Sequence, residues 1–96
     1  MSERVVIFTC LTAKAGRRDE LLVVLDELAV ATHAEPGNEL FVIHEARDDP
    51  DVVLGYEVFT DEQAVAAHRA TDAVRRARER LADLLTEDPV ITYAVG

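Results

Sequence analysis

Four segments of this chain read as β-strands, three of them apolar on both sides, and a sheet built from them needs an apolar cover on each face. Val5 to Thr12 is rich in β-branched and aromatic residues and holds no Gly or Pro. Because side chains alternate along a strand, it offers Val5, Ile7 and Leu11 to one face and Val6, Phe8 and Cys10 to the other. Glu39 to Ala46 sets Leu40 and Val42 against Phe41 and Ile43. Val52 to Phe59 sets Val52, Leu54, Tyr56 and Val58 against Val53 and Phe59, and Val90 to Val95 reads as a short last strand. Arg47-Asp48-Asp49-Pro50-Asp51 is a turn by composition. It is too short for a parallel crossover, so the second and third strands form an antiparallel hairpin.

Between the strands the period changes to that of a helix. From Arg17 to His33, Leu21, Leu25, Leu28 and Thr32 fall on one stripe, widened by Leu22, Val24 and Ala29. Glu35-Pro36-Gly37-Asn38 supplies the breakers that end this helix. Thr60-Asp61-Glu62-Gln63 reads as a capping box, with Thr60 as the cap and Gln63 reaching back to it. Thr71-Asp72 marks a restart or kink, after which Val74, Ala77, Leu81 and Leu84 form a second stripe that Asp88-Pro89 stops.

The order is β-α-β-β-α-β, an α+β ferredoxin-like arrangement with an antiparallel sheet. At 96 residues the chain has room for one core, so residues 1–96 are expected to form a single domain. Its helices can cover only one sheet face. The other, also apolar, calls for a second copy related by a two-fold axis, a homodimer through the sheet.

The formal net charge of -9 opposes binding to nucleic-acid phosphates or an anionic membrane surface. The basic run Arg75-Arg76-Ala77-Arg78-Glu79-Arg80 has helical spacing and reads as a solvated face. Cys10 is the only cysteine, which rules out an intrachain disulfide and suits a reducing compartment. The run from Val5 to Leu11 is broken by Thr9 and is not the clean apolar stretch of a signal peptide. No segment approaches the ~20 apolar residues of a membrane span. The expectation is a cytoplasmic protein.

With these elements in order, the chain resembles the antibiotic biosynthesis monooxygenase family, a group of dimeric α+β barrels. The resemblance spans nearly the whole chain. It is carried by Glu35-Pro36-Gly37, by Ile43-His44 at the end of the second strand, and by Asp48-Asp49-Pro50 in the turn. Tyr56-Glu57, Asp61-Glu62-Gln63-Ala64 and Ala67-His68 continue it. It implies a substrate pocket between sheet and helices in each subunit. Haem-degrading members carry an Asn on the first strand, a Trp after the third, and an axial His. This first strand has no Asn, and the chain has no Trp. Anthrone oxygenases carry an Asn and a Trp where this chain has Gly55 and Phe59. The quinol monooxygenase-like branch, which uses no cofactor, and the branches of unknown role remain.

The expected substrate is a small aromatic quinol or a polyketide-like phenol; such a ring reacts with dioxygen once deprotonated, so the protein must exclude water, hold the ring and take a proton. His44, His68 and Glu57 are the candidate catalytic groups: either histidine as base, and Glu57 as orienter or alternate base. A carboxylate on an apolar strand face is either paired with an arginine such as Arg78 or pointed into a cavity. Phe41, Phe59 and Arg78 are candidate substrate contacts, and Gly55, with no side chain in mid-strand, leaves room for a ligand or a close neighbour. Tyr56 alternates with Glu57 and belongs to the other face. His33, near a helix end, reads as structural. His33, His44 and His68 have no metal-ligand spacing, and no metal or other cofactor is expected. Two other uses of such a pocket stand beside oxygenation: a non-catalytic ligand-binding or dimerisation module, and an isomerase of a small metabolite.

Overall fold

The computed structural model describes residues 3–96. Its elements run β1 (Val5–Thr12), α1 (Arg18–His33), β2 (Asn38–Glu45), β3 (Val52–Phe59), α2 (Glu62–Arg69), α3 (Asp72–Leu84) and β4 (Val90–Val95). The strands form one antiparallel sheet in the order β2-β3-β1-β4. This is the ferredoxin-like α+β architecture expected from the sequence.

The register decides which side chains meet. Ile7 and Phe41 flank Glu57 from the two neighbouring strands, and Tyr93 lies beside Ile7. Val5, Ile7, Leu11, Phe41, Val53, Glu57 and Phe59 are all buried, on the face that the helices cover. On the opposite face Phe8, Leu40 and Leu54 are exposed, and Phe8 packs its ring 5.1 Å from that of Tyr56.

The helices bury the stripes read from the sequence: Leu21, Val24, Leu25 and Thr32 on α1, and Val74, Ala77, Leu81 and Leu84 on α3. They cover the sheet unevenly. Under α1 and α3, Leu11, Leu21, Leu25, Val53 and Leu81 form a large cluster; Val5, Ile7, Phe59 and Val65 form a smaller one near α2. Along the β4 edge, Ile91 and Tyr93 share the helix-side face yet remain about half exposed, at 47% and 48%.

One local expectation is corrected and another is decided between its alternatives. The cap of α2 is Asp61, not Thr60: the Asp61 carboxylate accepts the Ala64 N–H at 2.8 Å from an extended backbone. Thr60 is taken up elsewhere, its N–H donating to the Gly37 carbonyl at 2.9 Å where β2 begins. Of the two alternatives at Thr71-Asp72, restart or kink, the structure shows the restart: α2 ends and α3 begins. The Thr71 hydroxyl donates to the His68 carbonyl closing α2 and accepts the Val74 N–H opening α3. One residue thus satisfies orphan backbone groups at both helix ends.

Candidate active site

Glu57 projects from β3, an inner strand, toward the helices. Ile7 and Phe41 on either side give its carboxyl nothing to bond, and its Oε1 is buried without a hydrogen-bond partner. Burial, and secondarily the negative charge of Glu35, push its pKa up to about 7. The arginine pairing considered for this residue is not what the fold provides. Instead, the His68 imidazole stands opposite, with Nε2 3.7 Å from Oε1, too long for a direct hydrogen bond.

His68 sits in the last turn of α2, 7% exposed, its ring 5.0 Å from that of Phe59. Its Nδ1 lies 3.0 and 3.1 Å from the two carboxylate oxygens of Glu35, in the loop after α1. An ionised carboxylate only accepts, so Nδ1 carries the proton. In the neutral ring Nε2 is then a free lone pair turned toward Glu57. Glu35 therefore sets the tautomer of His68, and Glu57 faces its basic nitrogen.

A cavity of about 150 Å³ opens beside these groups. Its walls include Ile7, Leu11, Leu25 and Leu81, drawn from both apolar clusters, together with Phe41, and Arg69, Arg78 and Tyr93 lie toward solvent. Dry walls strengthen every charge interaction at its floor.

The structure brings together Glu57, His68, Phe41 and Arg78 around this cavity. Phe59 is fully buried and does not line it; the ring backs His68 instead. Gly55 contributes indirectly: a Cβ there would stand 2.3 Å from the Thr9 hydroxyl oxygen, and the missing side chain admits Thr9, which does line the cavity. His44 is exposed and pairs across the ladder with Leu54. Strand alternation puts it on the open face, across the sheet from Glu57 and His68. His33 is apart from the site, with Nε2 3.2 Å from the Phe41 carbonyl oxygen.

Glu35 was missed as a functional residue. Its sequence context, Glu35-Pro36-Gly37, was the available signal, but it reads equally well as a helix stop. Arg69, the residue after His68, is likewise singled out by no sequence pattern. Among the described residues, no group of three or more His, Cys, Asp and Glu side chains is arranged to hold a metal ion. No helix among them is long and apolar enough to cross a membrane.

Comparison with known proteins gives the fold and the family. Protein SO0527 from Shewanella oneidensis superposes with a TM-score of 0.93 at 24% identity, over 100% of this chain and 93% of that one. A protein from Nitrosomonas europaea, named for the antibiotic biosynthesis monooxygenases, gives 0.94 at 23% identity over 100% and 92%. PA3566 from Pseudomonas aeruginosa gives 0.92 at 24% over 100% and 96%. No curated protein matches the sequence. The profile of the antibiotic biosynthesis monooxygenase family matches residues 4–80, a span that includes Glu35, Glu57 and His68, and the chain belongs to that family.

Proposed function

We propose that this cavity is the active site of a cofactor-independent monooxygenase that oxidises a small aromatic quinol with dioxygen. The observation that carries the reading is the series Glu35–His68–Glu57 at the edge of an apolar cavity. Family membership supports the reaction class. In this scheme His68 Nε2 takes the proton of the bound hydroxyl, and Glu35 holds the imidazolium that results. The quinolate then gives electrons to dioxygen, and Glu57 passes protons to the reduced oxygen. The substrate supplies all four electrons. One oxygen atom enters at a ring C–H, giving a hydroxyquinone, and the other leaves as water with the two remaining hydrogens.

Oxygen uptake above the spontaneous rate, followed with a series of hydroquinones, tests this. His68→Gln is expected to lower kcat/KM by about 100-fold or more, the usual scale for a general base. His44→Ala, on the other face, is expected to leave it unchanged. No uptake in the native protein, or undiminished uptake in His68→Gln, overturns the proposal. Facing proton-transfer groups also suit an isomerase that enolises a small metabolite, which oxygen dependence separates from the first reading.

The same proposal includes a homodimer. The open sheet face carries exposed Phe8, Leu40 and Leu54, and a second copy of that face is its simplest cover. The lone Cys10 suits work in the cytoplasm.

A further inference from the structure

The cations of this acidic chain are mostly spoken for. Arg4, Arg17, Arg18, Arg47, Arg75 and Arg80 each lie within ion-pair distance of a carboxylate. Among the described residues Lys14, Arg69, Arg76 and Arg78 have no such partner, and two of these four border the cavity that holds Glu57 and His68. Arg69 is also held in place: its Nη1 donates to the Tyr93 hydroxyl at 2.9 Å, and its guanidinium lies 5.9 Å from the centre of that ring. Both residues of this pair, Arg69 from the end of α2 and Tyr93 from β4, line the cavity. Arg78 enters from α3. Glu87 and Asp88 share an adjoining hollow with Arg78, Leu81, Pro89 and Ile91, yet neither is ion-paired with it.

The cavity is therefore graded. Its floor offers a carboxyl and an imidazole, its walls are aliphatic and aromatic, and its mouth carries two guanidinium groups with no anion of the protein's own. Nineteen acidic side chains against ten basic ones make such a mouth the exception on this surface. A guanidinium fork matches a carboxylate geometrically, and pairs of charge-assisted hydrogen bonds are the strong ones. A cavity of this volume admits a single ring.

We propose that the substrate is a small aromatic acid whose ionisable hydroxyl seats toward Glu57 and His68 and whose carboxylate is held at the mouth by Arg69 and Arg78. This names the substrate class for the active site proposed above and rests on that assignment of the cavity.

Binding of 4-hydroxybenzoate and of 4-hydroxybenzamide, its neutral counterpart of nearly the same shape, tests the proposal by titration calorimetry. The acid is expected to bind about tenfold or more tightly than the amide. In the doubly substituted Arg69→Gln, Arg78→Gln protein the ratio should fall to about one while the amide's affinity stays the same. Both arginines are exposed, and a melting curve for the variant checks that it folds. Equal affinities in the native protein, a preference that survives the double substitution, or no binding of either probe overturns the proposal. Oxygen uptake separates the two claims. Acid-selective binding with no uptake from 2,5-dihydroxybenzoate sinks the oxygenase reading alone. Equal turnover of that acid and of plain hydroquinone sinks the carboxylate site alone.

Discussion

Glu57 is held where a carboxylate is least at ease. Between Ile7 and Phe41, with one oxygen bonded to nothing, it keeps its proton to about pH 7, against about 4.5 for an ordinary Glu. The unfolded chain releases the same proton far earlier. Below about pH 4.5 the carboxyl is protonated in both states and costs the fold no ionisation energy. The cost grows between 4.5 and 7 and is fully present above 7. Glu57→Gln is therefore expected to stabilise the protein by up to about 3 kcal/mol above pH 7. The gain should fade as pH drops toward 4.5. Urea unfolding of both proteins from pH 4 to 9 measures it, and a difference flat across that range would mean that the fold does not shift the ionisation of this carboxyl. Glu57 was legible in the sequence because a carboxylate on the apolar side of a strand stands out by alternation. His68 was legible as a candidate but not in its direction, since Ala64, Val65 and Ala67 leave the inner side of that helix unmarked. His44 could be placed on its face only once the register was known, and Glu35 could not be joined to His68 at all. Nothing local relates residues 33 positions apart.

At the scale of elements, the site depends on how closely β2 and α2 approach. Gly37, just before β2, touches the first turn of α2: a Cβ there would lie 2.3 Å from Ala64 Cβ and 3.4 Å from its Cα. The obstacle includes backbone, so the helix itself would have to move. Ala64 is one helical turn before His68, and that motion would carry the imidazole away from Glu35. Gly37→Ala is expected to cost about 1–3 kcal/mol in stability. It should also lower turnover further than the stability loss explains, as judged by denaturant melts beside initial rates at a temperature where the variant is folded. Normal turnover would show that α2 tolerates the shift. Glycine in the Glu35-Pro36-Gly37 segment was read as a helix breaker, which it is in position but not in reason; its backbone angle is ordinary, and only the neighbouring helix requires it. The same limit explains the α2 cap. Thr60 and Asp61 are both good caps by type, and the choice fell to the residue whose neighbour was already tied to Gly37. The stripes of α1 and α3 and all four strands needed no such tertiary knowledge, because apolar period alone specifies them.

For the whole molecule, the two faces of the sheet are expected to divide the work, chemistry under the helices and pairing on the open side. Light scattering after size exclusion should give the mass of two chains, and Phe8→Lys, which sets a charge beside Tyr56 at the middle of the open face, should give one. A native protein that is already a monomer would mean the apolar face has another cover. The apolar character of that face was plain from the strands, whereas the cavity was not. Its volume depends on how far the two core clusters stand apart, a distance no periodicity records. A chain of this size is stable by only about 5–15 kcal/mol, so the ionisation penalty at Glu57 is a substantial part of the total. Evolution toward greater heat tolerance alone would therefore favour losing this carboxyl, and automated redesign that repairs every unbonded buried oxygen would choose the same position. Either route would yield a hardier protein stripped of the group that faces His68.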